Sequence, residues 1–370
     1  MNAERLHAIV NSLQREVDET RTQLIELAEV VRRSANNPGD ADFQREIVQS
    51  RDQLYKMLEG ASSEKLSPAG REAVKELKVA DLLGSRLRKR LDEVFKQNSI
   101  TPATAADEIE RLVSQIQELS EVLTSLERGF ARLGIGIEEL EPGEVEVSFL
   151  IPRREVHDGL EELGREFINI KRILGPFLEL STGSREDVRV RAIASSEFEA
   201  YLLLGAIVAA NFAKALETVL NIYEKVLNIR KASKQLEETG IDPQYVAGLE
   251  EQANSMTRQE IEDFVARLLD ERSSTDDPDR ENELRTDLTK QTMELARRVD
   301  RGYRVDLQAR ELPLTEDTEP PDRAEERAAV DDVLAVRRRL RAFKLTGKPI
   351  LGLPETTDQD DHHEASPGDE

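Results

Sequence analysis

Apolar residues recur along the first 134 positions in alternating steps of four and three. Leu6, Val10, Leu13, Val17, Thr20, Leu24, Leu27 and Val31 form one such series, and Glu, Arg and Gln fill most positions between them. That spacing puts the series on a single stripe of an α-helix and predicts helix–helix packing along it. Asn36-Asn37-Pro38-Gly39-Asp40 carries turn chemistry that ends the helix, and Asp40 or Asp42 can cap the next one. There Phe43, Ile47, Leu54 and Leu58 share a face. Pro68 suits the first turn of a third helix over 69–98, with the stripe Ala73, Leu77, Ala80, Gly84, Leu87, Leu91 and Val94. Thr101-Pro102 opens a fourth, carrying Ile109, Leu112, Ile116, Leu119, Leu123, Leu126, Phe130 and Leu133. Short connections make an antiparallel helical bundle of coiled-coil type the expected arrangement for 1–134. The second helix, about 20 residues against roughly 30 for its companions, is too short to cover them and leaves part of a seam for a partner.

The period changes after Leu133. Residues 144–151 alternate with period two and predict a half-buried strand. Helical spacing returns over 153–181, with a kink expected at Gly175-Pro176. A second strand follows at 188–193, with Arg189 and Arg191 on one face. Ser196 and Glu199 have capping-box spacing and predict a helix over 197–238. Within it Leu202, Leu203, Leu204, Ile207, Val208 and Phe212 point all round the axis, the mark of a helix buried on several sides. Strand, helix, strand predicts two parallel neighbours with a right-handed crossover, a small β-α-β unit over 143–240. Residues 241–312 read as a helical segment, with Tyr303, Val305 and Leu307 as a candidate third strand. A basic amphipathic helix covers 322–346. Residues 356–370 hold acids and His without an apolar anchor and read as a disordered acidic tail. The expected fold class is mainly α, with a small α/β unit in the middle.

Composition narrows the chemistry. Aromatic residues are only 4% and Trp is absent, which argues against an aromatic-lined ligand pocket. Acids outnumber bases 75 to 52, and the net charge of −23 opposes nucleic acid and anionic lipid at long range. The absence of Cys removes disulfides, thiolate metal sites and a Cys nucleophile. The first residues are charged and carry no signal-peptide apolar region, and the longest uncharged run, 200–213, is too short to span a bilayer. A cytoplasmic protein without membrane association is expected. The preference for Arg over Lys hints at a GC-rich bacterial genome.

Motif chemistry is sparse. There is no GxxxxGK[ST], HExxH or GxSxG pattern, so no cofactor or metal is expected. His362-His363 sits in the acidic tail, which cannot preorganise a metal site. His7 reads as a surface residue beside the first seam. If the two strands lay side by side, Arg153, Arg154, His157, Ser195 and Ser196 would meet beyond their carboxyl ends, where a helix N-terminus favours an anion. Arg86, Arg88, Lys89 and Arg90 cluster on the third helix. Arg337, Arg338, Arg339, Arg341 and Lys344 gather on the last one, a candidate nucleic-acid contact that lacks interleaved stacking aromatics. The reading these features favour is a non-enzymatic helical scaffold or regulatory adaptor that binds protein partners and self-associates. The alternatives are a nucleic-acid-associated accessory protein and an anion sensor or enzyme at the β-α-β crevice.

Overall fold

The computed structural model describes residues 3–37, 40–98, 101–137, 139–157, 159–185, 187–194, 198–238, 243–272, 277–312, 321–343 and 349–353. It is mostly helical, with a small sheet. In chain order the elements are α1 (Ala3–Asn36), α2 (Ala41–Glu59), α3 (Pro68–Glu76), α4 (Gly84–Gln97), α5 (Pro102–Arg132), β1 (Glu144–Ile151), α6 (Arg153–Val156), α7 (Leu160–Thr182), β2 (Arg189–Ala194), β3 (Phe198–Gly205), α8 (Ala206–Glu238), α9 (Pro243–Arg272), α10 (Pro278–Asp300), β4 (Arg304–Ala309) and α11 (Pro321–Ala342). The chain divides into two compact units. One takes in Met1–Arg153, Val190–Leu203 and Asp306–Arg310, and the other Arg154–Arg189, Leu204–Val305 and Glu311–Glu370.

In the first unit α1 and α5 lie side by side in opposite directions. Arg21 bonds Gln117 at 2.8 Å, Asn11 bonds Glu127 at 3.1 Å, and Arg32 pairs with Asp107 and Glu110. The α1 stripe from Val10 to Val31 is buried, as are Ile109, Leu112, Ile116, Leu119 and Leu123 of α5, in a core shared with Leu54, Leu58, Leu87 and Leu91. Truncating any of these leucines to Ala would cost about 2–5 kcal/mol. Asp40 caps α2 through the amide of Asp42, and Ser67 caps α3 through Gly70, with Pro68 in the first turn.

The continuous helix expected over 69–98 is broken. Leu77 ends α3 and is half exposed, Lys78 takes a left-handed φ of +59°, and a 3-10 turn at Ala80–Leu82 leads into α4. The four-three spacing runs through the break, which is why the pattern conceals it. The cause lies at Glu16 of α1. Its buried carboxylate accepts hydrogen bonds from the Ser63 amide (2.6 Å), the Ser63 hydroxyl (2.8 Å) and the Gly84 amide (3.1 Å). Gly84 has φ +46°, and a Cβ there would lie 2.5 Å from Glu64 Oε1. Only glycine takes that conformation cheaply.

β1 occupies the expected residues, and β4 forms where a third strand was expected. The parallel pairing is overturned. The sheet is antiparallel in the order β2-β3-β1-β4, so β1 and β2 are separated by β3. The helix expected from Glu197 is also overturned at its start, because Phe198–Gly205 is a strand and α8 begins at Ala206. Alternation puts Val145, Val147, Phe149 and Ile151 on one side of β1 and Glu146 and Ser148 on the other, yet all six are buried.

In the second unit α8 packs against α7, α9, α10 and α11. Ile222, Tyr223 and Val226 of α8 meet Ala253 and Ile261 of α9, and Ile350 beyond α11 joins them. Asp300 at the end of α10 accepts the amides of Ile350 (2.7 Å) and Leu351 (2.8 Å). Pro176 lies inside α7 and is buried. No helix among the described residues is long and apolar enough to cross a membrane.

Candidate functional site

The two sets of residues singled out from sequence are placed as follows. In the first unit the Arg153 guanidinium lies over the Phe198 ring, 4.7 Å from its centroid. In the second unit Arg154 donates to the Arg301 carbonyl at the C-terminal end of α10 and pairs with Glu155 at 3.3 Å. A cation at that position meets the negative end of the helix. His157 is exposed, with a left-handed φ of +44°. Ser195 and Ser196 lie outside the described residues. The two reasons for an anion crevice fall away together: β1 and β2 are not adjacent, and a strand begins where a helix N-terminus was expected.

On α11, Arg339 pairs with Glu217 (3.3 Å) and Glu224 (3.0 Å) of α8. Arg337 and Arg341 are half-buried, Arg338 is exposed, and Lys344 lies outside the described residues. Arg339 thus ties α11 to an acidic stretch of α8. On α4, Arg88 pairs with Glu59 and Arg86 lies 3.5 Å from Asp81. His7 is not a surface residue. It is 8% exposed, stacks on Phe130 and donates from Nδ1 to the carbonyls of Ile135 (2.9 Å) and Gly136 (3.2 Å).

The densest polar constellation is one the sequence did not reveal. It lies on the polar side of the sheet and belongs wholly to the first unit. β1 supplies Glu146 and Ser148, β3 Glu199 and Tyr201, and β4 Asp306, and none of the five is more than 3% exposed. β2 supplies Arg191, and the first turn of α1 supplies Arg5. The Arg5 guanidinium pairs with Glu146 and lies 3.5 Å from the centroid of the Tyr201 ring. Arg191 approaches Glu146 at 3.7 Å and donates to the Glu139 carbonyl at 2.9 Å. The Tyr201 hydroxyl donates to Glu199 Oε2 at 2.7 Å. Glu199 Oε1 is buried and has no hydrogen-bond partner among the described residues.

Electrostatics separates the carboxylates. Burial pushes Glu199 above the ordinary carboxylate range. Tyr201, Ser148 and the charge of Arg5 offset part of that rise, and the charge of Asp306 adds to it. Burial and the neighbouring Glu199 also raise Tyr201, so its phenol stays protonated. Glu146 faces two guanidiniums, those of Arg5 and Arg191. With Glu146, Ser148, Glu199, Tyr201 and Asp306 this deeply buried, a substrate reaches these five groups only after local opening. Their chemistry is that of a fastening: Arg5 ties the start of α1 to the middle of the sheet. Among the described residues no group of three or more His, Cys, Asp or Glu is placed to hold a metal ion.

Exposed features of the first unit are of another kind. An open groove of about 560 Å³ between α1 and α5 has Ile25, Ala28 and Val113 on its floor and Arg32, Arg33 and Glu110 on its rim. Its cations are already paired, Arg32 with α5 and Arg33 with Glu46 of α2 at 3.3 Å. Further along α5, Val122 is 56%, Leu126 38% and Leu133 75% exposed. Comparison of the chain with protein-family models, with curated proteins and with solved structures gives no match.

Proposed function

We propose that this chain is a cytoplasmic, non-enzymatic helical adaptor that binds protein partners and associates with itself. The observation that carries the reading is the apolar surface left open on α5 beyond its buried stripe. α1 to α5 are read as an antiparallel bundle with coiled-coil-like seams, whose exposed stretch is the docking element. Two further features support the reading. The five acidic, hydroxyl and phenol members of the sheet's polar cluster are buried, and Arg339 of α11 and Arg88 of α4 pair with acids of their own unit. Single exposed apolar residues are common on any protein surface, but a stripe of them at helical spacing marks an interaction site.

A photo-crosslinking residue at Ser125, beside the stripe, tests this in cells that naturally express the protein. The expected result is a reproducible crosslink to one or a few defined proteins, lost when the crosslinker is moved to Glu72 on α3. Crosslinks spread evenly over abundant proteins, or the same set from both positions, would overturn the adaptor reading.

A further inference from the structure

The charges of α5 are used in two ways along its length. On the flank facing α1, Asp107 and Glu110 pair with Arg32, Gln117 accepts from Arg21, and Glu127 accepts from Asn11. Further along α5 Glu118, Arg128 and Arg132 are exposed, and among the described residues none has an ion-pair partner. Beside these charges, toward the buried stripe, lie the exposed apolar residues Val122 and Leu126. Ser125 stands in the row of Glu118 and Arg132, Gly129 in the row of Val122, and a Cβ added at Gly129 would meet nothing within 4 Å.

The order of charges along this stretch is acidic first and basic last: Glu118 and Glu121, then Arg128 and Arg132. Such a helix face is complementary to itself when two copies run antiparallel. Centred on Ser125 and Leu126, the pairing sets Val122 of one copy against the open notch at Gly129 of the other. Ser125 and Leu126 meet at the two-fold axis. Glu118 then comes within reach of the second copy's Arg132, and Glu121 within reach of its Arg128. A parallel pairing would instead stack like charges.

We propose that the exposed face of α5 is a self-association surface, occupied by α5 of a second copy of this chain in antiparallel register about Ser125 and Leu126. This rests on the adaptor reading and names one of its partners. The small residues let the two backbones approach, and the isologous contact closes at two copies.

Light scattering of the purified full-length chain at micromolar concentration and low salt tests this. The expected mass is twice that of the chain. Val122→Glu, a change at an exposed position, should give the monomer mass with unchanged far-ultraviolet circular dichroism. Glu118→Arg alone and Arg132→Glu alone should each raise the dimer dissociation constant about tenfold or more. The double variant Glu118→Arg/Arg132→Glu should bring it back to within a few-fold of the original. A wild-type monomer, a V122E dimer, or a double variant as weak as the single ones would each overturn the pairing. A monomer that still gives defined crosslinks to another protein removes the second copy and leaves the adaptor. A dimer without any foreign crosslink keeps the pairing and removes the wider adaptor role.

Discussion

Glu199 in the first unit and Glu179 in the second are both buried glutamates, at 0% and 8% exposure, and their surroundings drive them in opposite directions. Glu199 lies on a sheet face among a phenol, a hydroxyl and a second acid, and burial wins: its proton is held more tightly than in water. Burial pushes Glu179 up as well, but Arg185 and Arg280 both bond it and more than reverse that effect. Arg185 also reaches Asp287 at 2.8 Å, which ties α7 to α10. Glu16 stands with Glu199, since its three donors are neutral and its proton affinity remains raised by burial. Hydrogen bonds from uncharged groups satisfy a carboxylate without cancelling the cost of burying its charge, whereas guanidiniums do both.

The largest expected effect follows from removing the cation where it is needed most. Arg5→Ala removes a guanidinium that pairs with the buried Glu146, and unfolding by urea should show a loss of about 3–5 kcal/mol. A loss under ~1 kcal/mol would mean that the fastening of α1 contributes little. Next, Glu16→Ala strands the amides of Ser63 and Gly84 and should cost about 3 kcal/mol, while Glu16→Gln, which keeps one acceptor, should cost less than half of that. Equal costs for the two variants would show that packing, not hydrogen bonding, governs the site.

The remaining two variants set the pair of glutamates against each other in pH. Glu179 has a lowered folded pKa, so its contribution is present above the unfolded value and disappears as pH falls through the folded one. Glu179→Gln should therefore lower the melting temperature by about 2 °C at pH 7 and by progressively less as the pH falls below the ordinary glutamate range, a small effect because both arginines are half exposed. Glu199 is raised, so the sign reverses: its stabilisation is full below the unfolded pKa and is lost as pH rises through the folded one. Glu199→Gln should match the wild type at pH 4 and exceed it slightly at pH 8. Parallel melting curves for these two variants across that range would erase the distinction between the two surroundings.

Much of the helical architecture was legible because it is local. The α1 and α5 stripes repeat every few residues, and Asp40 and Pro68 act within three positions of themselves. β1 was legible because Val145, Val147, Phe149 and Ile151 alternate. β3 was not. Phe198 to Leu204 is a continuous apolar run apart from Glu199, a pattern shared by buried strands and buried helices, and Ser196 with Glu199 mimicked a helix start. Misreading it removed the strand that separates β1 from β2 and created a crevice between them. The polar cluster was hidden for a different reason. Arg5, Glu146, Glu199 and Asp306 stand far apart in sequence, and nothing local to any one of them names the others. The alternation of β1 did place Glu146 and Ser148 on one face, and that of β2 placed Arg191 on one, local hints of a polar face that named no partner.

The interleaving of the first unit along the chain has a consequence for how the protein is made. β1 lies inside the sheet, between β3 and β4, and is complete at Ile151, while β4 starts only at Arg304. A ribosome adding about 5–20 residues per second needs roughly 8–30 s to deliver the roughly 150 residues between them. Throughout that interval the edge of β1 that β4 will cover has no strand of its own sheet to pair with. Open edges recruit foreign strands. Nascent chains arrested before residue 304 should therefore be the species that chaperones hold and that aggregates sample, and slowing translation after β3 should lengthen that exposure.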